Sequence, residues 1–505
     1  MPLPATQFEN LLRVAPELIL CAFGILIMIV DPFVPAPRKK AMGGVGVAGA
    51  LLALGGVWIS SRHPGLAYAG LLRVDGFSIF LHYVVTGVAV LAMLGAFAYL
   101  DEEKIQKGEY YALILFATAG MGILIGANEL VTAFLGLEIS SISSYILAGF
   151  RRDAPKCNEA SLKYFLLGSF ATAFFLYGIA MTYGATGTTN LDAIASSLER
   201  TPSSSLLILG IGMMFVGLGF KVVAVPFQIY APDVYEGAPA PVTALISTGP
   251  KAAAFAVMLR IFYTAFGSEA HIWFWAIWIS AALTMTVGNL AALVQTNVKR
   301  MLAYSSIAHA GYILVAFAAS TTLGIAAILF YLAAYTIVKL GAFVVVAHVG
   351  GAGERRLDIS DYAGLSARQP VLALCFSVFL FSLLGLPVTG GFLGKFYAFR
   401  AALNYSAILQ MTGDAFHGKW MVWLVVIAAI NSVIGAYYYL RVVVAMYFWE
   451  PKEDWKPARM TPAVALVLIV AVLGTIYLGL APNRVMGHAL QSASALPSQL
   501  TNHAP

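Results

Sequence analysis

Residues 217–230 read GLGFKVVAVPFQIY, and residues 383–399 read LLGLPVTGGFLGKFYAF. Each lies in an apolar run that approaches the roughly 20 residues a membrane-spanning helix needs. Each run is also interrupted. Pro226 follows Lys221, and Pro387 with a glycine cluster precedes Lys395. Proline removes a backbone donor and glycine weakens a helix. At membrane depth such a break is tolerated only where protein or a water-filled cavity lines it. Paired broken helices in two halves of a chain point to a transport site between repeats. The two lysines stand 174 residues apart (395 − 221), and Glu138 stands 171 residues before His309 (309 − 138). These offsets predict two five-helix units, spans 4–8 and spans 9–13, with helices 7 and 12 broken. Five is an odd number, so the second unit inserts upside down.

Composition sets the same frame. The 505 residues are 60% hydrophobic and 11% charged, whereas soluble domains carry about 25% charged residues. The mean hydropathy is +0.83. The expected fold class is an all-α integral membrane protein of about fourteen transmembrane helices, the first centred near Ile25 and the last near Ile469. Glu9, Arg13 and Glu17 precede the first apolar run without a clean small-residue cleavage site, so no cleavable signal is expected.

Basic residues recur in alternate loops. They are Arg38, Lys39 and Lys40 after span 1, Lys104 and Lys107 after span 3, and Arg151, Arg152 and Lys156 after span 5. The series continues with Lys299 and Arg300 between spans 9 and 10, and with Arg355, Arg356 and Arg368 after span 11. Lys452, Lys456 and Arg459 follow span 13. The positive-inside rule then places both termini outside the cytoplasm. The formal charge of +6 is read as topology, not as nucleic-acid binding. Cys21, Cys157 and Cys375 are scattered, with no CxxC pair and no Gly-rich nucleotide loop, so no redox cofactor or metal is expected in this chain.

Four ionisable residues fall inside spans: Glu138, Lys221, Lys251 and Lys395. A charged group there costs at least ~2.5 kcal/mol on insertion scales. The natural use of such groups is to hold and pass protons. A lysine's hold on its proton depends on whether a carboxylate stands near, and Glu138 is the expected partner of Lys221. His309 carries an imidazole suited to relay work. Lys339, Tyr304 and Ser305 are further relay candidates, although hydroxyls on buried helices also serve as helix–helix contacts. Arg260 and Glu17 are read as interfacial. The stretch APDVYEGAPAPV (231–242) is read as a rigid loop, a structural element facing the cytoplasm or a subunit contact.

Three stretches together resemble a known family. VPFQIYAPDVYEGAPAPVTALISTGPKAA (225–253), NVKRMLAYSSIAHAGY (297–312) and GLPVTGGFLGKFYAF (385–399) are similar to NADH-quinone oxidoreductase subunit N, called subunit 2 in mitochondria. The similarity runs from about Asp75 to Tyr447. That family consists of antiporter-like, proton-pumping membrane subunits of respiratory complex I. The resemblance implies a polar axis at the midplane built from Glu138, Lys221, Lys251, His309 and Lys395. It implies a translocase subunit with no redox centre of its own, while FMN, iron–sulfur clusters and quinone belong to other subunits. The implied partners are neighbouring antiporter-like subunits, the lateral helix of the largest one, and membrane lipids; no nucleic acid is involved. The implied setting is a bacterial inner membrane. Gln228, Tyr230 and Lys339 depart from the family pattern. The expected organisation is 1–108 for three leading helices, 109–267 and 268–450 for the repeats, and 451–505 for the last helix and tail. Two rival readings stay open: a subunit of a multisubunit cation/proton antiporter or membrane-bound hydrogenase, and a scaffold whose buried charges form static ion pairs.

Overall fold

The computed structural model describes residues 7–35, 38–200, 204–451 and 460–497. The chain is helical nearly throughout, with one small hairpin pairing Gly65–Ala67 with Leu72–Val74. Among the described residues, twelve helices are long and apolar enough to cross a membrane. Spans 1–6 are Ala15–Phe33, Lys40–Ser61, Gly76–Glu102, Gly108–Gly126, Leu130–Ala148 and Pro155–Thr186. Spans 8–11 are Ala240–Ala265, Ala270–Leu293, Val298–Ala318 and Thr322–Gly350, and spans 13 and 14 are Ala415–Phe448 and Pro462–Leu480. The two missing from that set are the broken ones. Span 7 is Ser205–Lys221 followed, after a gap, by a short helical stretch at 228–237. Span 12 is Pro370–Leu384 followed by Gly390–Met411. Fourteen crossings result, as the hydropathy pattern predicts. The basic loop residues Lys452, Lys456 and Arg459 lie outside the described residues.

Both breaks force β-branched residues into the left-handed region, Val223 at φ 59° and Val388 at φ 76°. Such residues are genuine outliers there, and strain of this kind persists only where the surroundings over-determine it. Spans 8, 10 and 11 are buried almost end to end, whereas spans 1, 13 and 14 keep most of their surface on the outside. The buried trio forms the core on which the rest is laid.

The repeat is visible in the backbone. Glu129, which caps span 5, bridges antiparallel to Asn190 after span 6; Asn297, which caps span 10, bridges antiparallel to Asp358 after span 11. Both members are displaced by 168 residues (297 − 129 and 358 − 190). Helix packing repeats at the same interval. A Cβ on Gly120 would lie 2.6 Å from the Ser140 nitrogen, and one on Gly288 would lie 2.6 Å from the Ala308 nitrogen. An odd number of crossings separates the two bridges, so they face opposite sides of the membrane. The backbone register of 168 makes Ser306 the counterpart of Glu138 (138 + 168) and His309 the counterpart of Ser141 (141 + 168). It replaces the offset of 171 that paired Glu138 with His309.

Three local expectations change. Arg260 is not interfacial: it is 1% exposed and grips Asp75, the N-cap of span 3, at 2.9 and 3.0 Å, with a third bond to the Ile125 carbonyl. Glu17 is likewise buried, its Oε1 2.7 Å from His82 Nε2 on span 3. A carboxylate and a guanidinium at span ends reach inward when a partner on another span can satisfy them. The stretch 231–242 is no loop. Ala231–Gly237 is helical with proline in its first turn, and Ala240 begins span 8. Pro232 and Pro241 occupy first-turn positions, where the missing N–H is no loss. The lone turn between the helices, Ala238–Pro239, is tied down by Lys299 donating to the Ala238 carbonyl at 2.6 Å and Glu354 accepting from the Ala240 N–H at 2.7 Å.

Candidate functional site: a buried polar axis

The axis begins on span 5. Glu138 sits partly buried, and its Oε1 is enclosed without a hydrogen-bond partner. Lys221 does not pair with it. Its ammonium donates instead to Ser141 Oγ at 2.8 Å and Tyr145 OH at 2.9 Å, one and two turns further along the same helix. Glu138 remains within electrostatic reach of both Lys221 and Tyr145. The expected Glu138–Lys221 ion pair is therefore open in this structure. Lys221 is the last residue of its half-helix, so the break places its side chain against span 5.

A cavity of ≈ 20 Å3, enough for one water, lies beside Lys221 and is lined by Ser141, Ser144, Tyr164, Tyr230 and Pro250. Pro250 immediately precedes Lys251. Tyr230 stacks on Tyr164 and on Phe220, which gives the departure from the family pattern at this position a packing role. Gln228, the other departure in this stretch, has its Oε1 buried without a partner.

Lys251 is 1% exposed and donates to the Ser306 carbonyl at 2.9 Å and to the Ser306 hydroxyl. Ser306 Oγ also meets Tyr335 OH at 2.7 Å. The Tyr335 ring lies 5.4 Å from the His309 ring. His309 bonds Tyr331 OH through Nδ1 at 2.7 Å and Tyr439 OH through Nε2 at 3.2 Å. Tyr439 continues to Ser305 Oγ at 2.5 Å, and Ser305 accepts from Lys339 at 3.1 Å. Lys339 is wholly buried and donates also to the Leu302 carbonyl at 2.6 Å. Lysine, serine, tyrosine and histidine thus form an unbroken hydrogen-bonded string from Lys339 to His309 to Tyr331.

Lys395 closes the set. It lies in the second turn of the helix after the break. It donates to the Leu384 carbonyl at 2.9 Å and to Ser432 Oγ at 2.9 Å, with its ammonium 4.7 Å above the Tyr312 ring. The Leu384 carbonyl is free to accept because the preceding helix stops there. Tyr312 in turn is held by Asn289 at 3.1 Å. Among the described residues, none of Lys221, Lys251, Lys339 and Lys395 forms an ion pair.

Of the relay candidates, Ser305 and Lys339 join the string and Tyr304 does not. Its ring lies under the Arg300 guanidinium, 5.9 Å away, outside the axis. Sequence reasoning missed Tyr145, Tyr331, Tyr335, Tyr439 and Ser432. A signal existed: Tyr331, Tyr335 and Lys339 recur every fourth residue along span 11, which puts them on one helical face.

Two openings lie on the side carrying most of the basic loops. A cleft of ≈ 470 Å3 between spans 5 and 6 reaches Tyr145, with Glu109 and Arg152 among its lining residues. A second, of ≈ 160 Å3, is lined by Lys163, Asp233, Glu236 and Arg300, which are cross-linked by ion pairs of 2.8–2.9 Å. Outside the spans, burial alone would raise the Asp75 carboxyl, but the Arg260 guanidinium holds it below the usual carboxylate range. No group of three or more His, Cys, Asp or Glu side chains among the described residues is placed to hold a metal ion.

A family profile described as NADH:quinone oxidoreductase/Mrp antiporter, TM, matches residues 127–417. NADH-quinone oxidoreductase subunit N 2 of Koribacter versatilis (strain Ellin345) is 49% identical over 494 residues, covering 96% of this chain and 97% of that one. A chain in the structure of respiratory complex I from Thermus thermophilus with bound Aureothin is 35% identical with a TM-score of 0.76, covering 94% of this chain and 100% of that one. A chain of the Mrp complex from Dietzia sp. DQ12-45-1b reaches a TM-score of 0.82 at 21% identity, covering 97% and 98%, and so shares the fold. With identity of that order over nearly its whole length, this chain belongs to the NADH-quinone oxidoreductase subunit N family.

Proposed function

We propose that the chain is a proton-translocating subunit of a bacterial NADH-quinone oxidoreductase, coupling electron transfer elsewhere in the complex to proton movement through its own axis. The observation that carries this reading is the set of four lysines, Lys221 partly buried and Lys251, Lys339 and Lys395 buried, with hydroxyl and carbonyl partners and no counter-ion among the described residues. A scaffold of static ion pairs would hold each ammonium against a carboxylate. Hydroxyls and imidazole both donate and accept, so the same groups serve a lysine in its charged and neutral forms.

Residues 109–267 and 268–450 form the two functional halves. The inner cleft that reaches Tyr145 supplies protons to Lys221. A charge change from a neighbouring membrane subunit acts on Glu138, whose enclosed oxygen is free to answer it. Pairing of Glu138 with Lys221 holds the proton; separation releases it past the small cavity towards Lys251. Ser306, Tyr335 and His309 carry it onward, with Lys339 and Ser305 as a side store, and Lys395 delivers it to the outer side. The chain itself performs the translocation step and no electron transfer. Its setting is the inner membrane, both termini outside, among other antiporter-like subunits and the lateral helix of the largest.

The identity to subunit N favours this over the cation/proton antiporter reading, for which the Mrp likeness supplies the fold alone. The test is protons moved per NADH oxidised in inverted vesicles, for Lys221→Ala beside wild type, with assembly of the complex checked. Loss of about tenfold or more in pumping, equivalent to ~1.4 kcal/mol or more on the transfer step, is expected with the complex intact. Normal stoichiometry would reduce the axis to a structural feature.

A further inference from the structure

Away from the axis, spans 3, 11 and 14 and the helix Pro482–Ala493 enclose a groove of ≈ 920 Å3. Its wall runs along span 3 from Gly76 to Leu91. Fifteen residue steps of helix are about 22 Å. The groove therefore begins at the outer end of span 3 and passes the middle of a hydrocarbon core about 30 Å thick. Whatever fills it is apolar along most of its length, because Phe80, Val84, Ile337, Leu340 and Val470 line the deep part.

Gly87 stands on this wall, and a Cβ there would meet nothing within 4 Å. Packing does not demand glycine at that position; its absence of side chain keeps the groove deep. The mouth has the opposite chemistry. Pro482–Ala493 turns Met486, Ala489 and Ala493 inward. Its other face carries Arg484, His488 and Gln491, spaced four and three residues apart. His488 and Gln491 line the groove, Arg484 is exposed one turn before His488, and no acidic side chain lines it. An amphipathic helix joined to the outer end of a span lies in the interface. A cation and polar donors above an apolar slot complement a phosphate above an acyl chain.

We propose that this groove is a binding site for an anionic membrane phospholipid, with its phosphate at Arg484, His488 and Gln491 and an acyl chain running past Gly87. Filled in this way, the site seals the outer face of span 11 behind Lys339 against water. The proposal stands independently of the proton path.

The test uses the complex containing this chain, purified into phosphatidylcholine nanodiscs. Trace phosphatidylglycerol with a mid-chain diazirine is added and crosslinked, and adducts are mapped by peptide mass spectrometry. Residues 84–91 and 336–340 are expected to be labelled about tenfold above the exposed residues Leu162, Phe165, Leu166 and Phe170 of span 6, a preference of ~1.4 kcal/mol. Gly87→Phe should remove that excess. Arg484→Glu combined with His488→Ala should also remove it, and carries the test alone if Gly87→Phe prevents assembly. Equal labelling of groove and span 6 would overturn the proposal, as would labelling unchanged by either variant. Stronger labelling by a diazirine-bearing isoprenoid quinone would assign the groove to quinone and likewise overturn it.

Discussion

Lys221 and Lys395 belong to corresponding broken spans, yet they are held by different means. Lys221 ends the half-helix before its break and donates to two side-chain hydroxyls on span 5. Lys395 lies in the second turn of the half-helix after its break and donates to a backbone carbonyl that the break itself frees. The first repeat places an acid, Glu138, where the second has Ser306, and Lys251 already occupies Ser306. Duplication has preserved the scaffold, including the capping bridges and the glycine contacts, and has let the chemistry diverge. One repeat carries a carboxylate at this position; the other carries a hydroxyl joined to phenols and an imidazole. Under the proposed function, this asymmetry would give the axis a direction.

The sharpest way to break that comparison is to give the second repeat the acid of the first. Ser306→Asp puts a carboxylate on the Lys251 ammonium and fixes it in an ion pair. Pumping per NADH should fall about tenfold or more, against about threefold for Ser306→Ala, which keeps the Ser306 carbonyl; these correspond to ~1.4 and ~0.6 kcal/mol. Full pumping by assembled Ser306→Asp would remove the Lys251–Ser306 contact from the path.

A second test separates the machinery from its mount. Asp75 and Arg260 tie span 8, which carries Lys251, to the N-terminal end of span 3. Asp75→Asn leaves a buried guanidinium without its counter-ion, a loss of ~3–5 kcal/mol. The thermal midpoint of the detergent-solubilised complex should drop accordingly. The sign with pH follows from the depressed Asp75 carboxyl. Its contribution is complete above the ordinary carboxylate range and is lost as pH falls through the lower folded value. Wild type should therefore approach the variant's stability in acid, while the variant itself lacks that component. An unchanged midpoint at neutral pH would show that Arg260 is satisfied by the Ile125 carbonyl alone.

Much of this was legible in the chain before its coordinates. Lys221, Lys251 and Lys395 announce themselves because an ammonium in an apolar run has few bland uses, and the two Pro/Gly breaks give the repeat. What sequence could not supply was pairing. Arg260 and Glu17 look interfacial from their position near span ends, and only the packing of spans 1, 3 and 8 reveals Asp75 and His82 waiting for them. The register read from Glu138 and His309 differs by three residues from the backbone register because the polar residues inside the spans differ between the repeats, whereas Glu129 and Asn297 keep the same capping role. Taken singly, the tyrosines are not legible in the sequence, because a tyrosine among aliphatics reads as packing until its hydroxyl is seen on a histidine or a lysine.

The shared scaffold makes a third prediction, of equal effects. Gly120→Ala and Gly288→Ala each force a methyl to within 2.6 Å of a backbone nitrogen on the adjoining span. Overpacking of this kind costs ~1–3 kcal/mol. The two variants should lower the thermal midpoint by similar amounts, and a several-fold disparity would mean that the two helix pairs are not structural equivalents.

The smallest effect tests the lysine clasps themselves. Ser141→Ala removes one of two acceptors from Lys221, and Ser432→Ala removes one of two from Lys395. A hydrogen bond between membrane helices contributes ~0.6 kcal/mol on average, or about threefold in an equilibrium. The remaining partners differ, however. Lys221 is left with Tyr145, a side chain that can swing away; Lys395 is left with the Leu384 carbonyl, which the backbone holds in place. Ser141→Ala should therefore change the pumping rate about threefold, and Ser432→Ala by less than that average. The opposite order would mean that the freed carbonyl at the second break is not the principal anchor of Lys395, and that both lysines depend on hydroxyl partners alike.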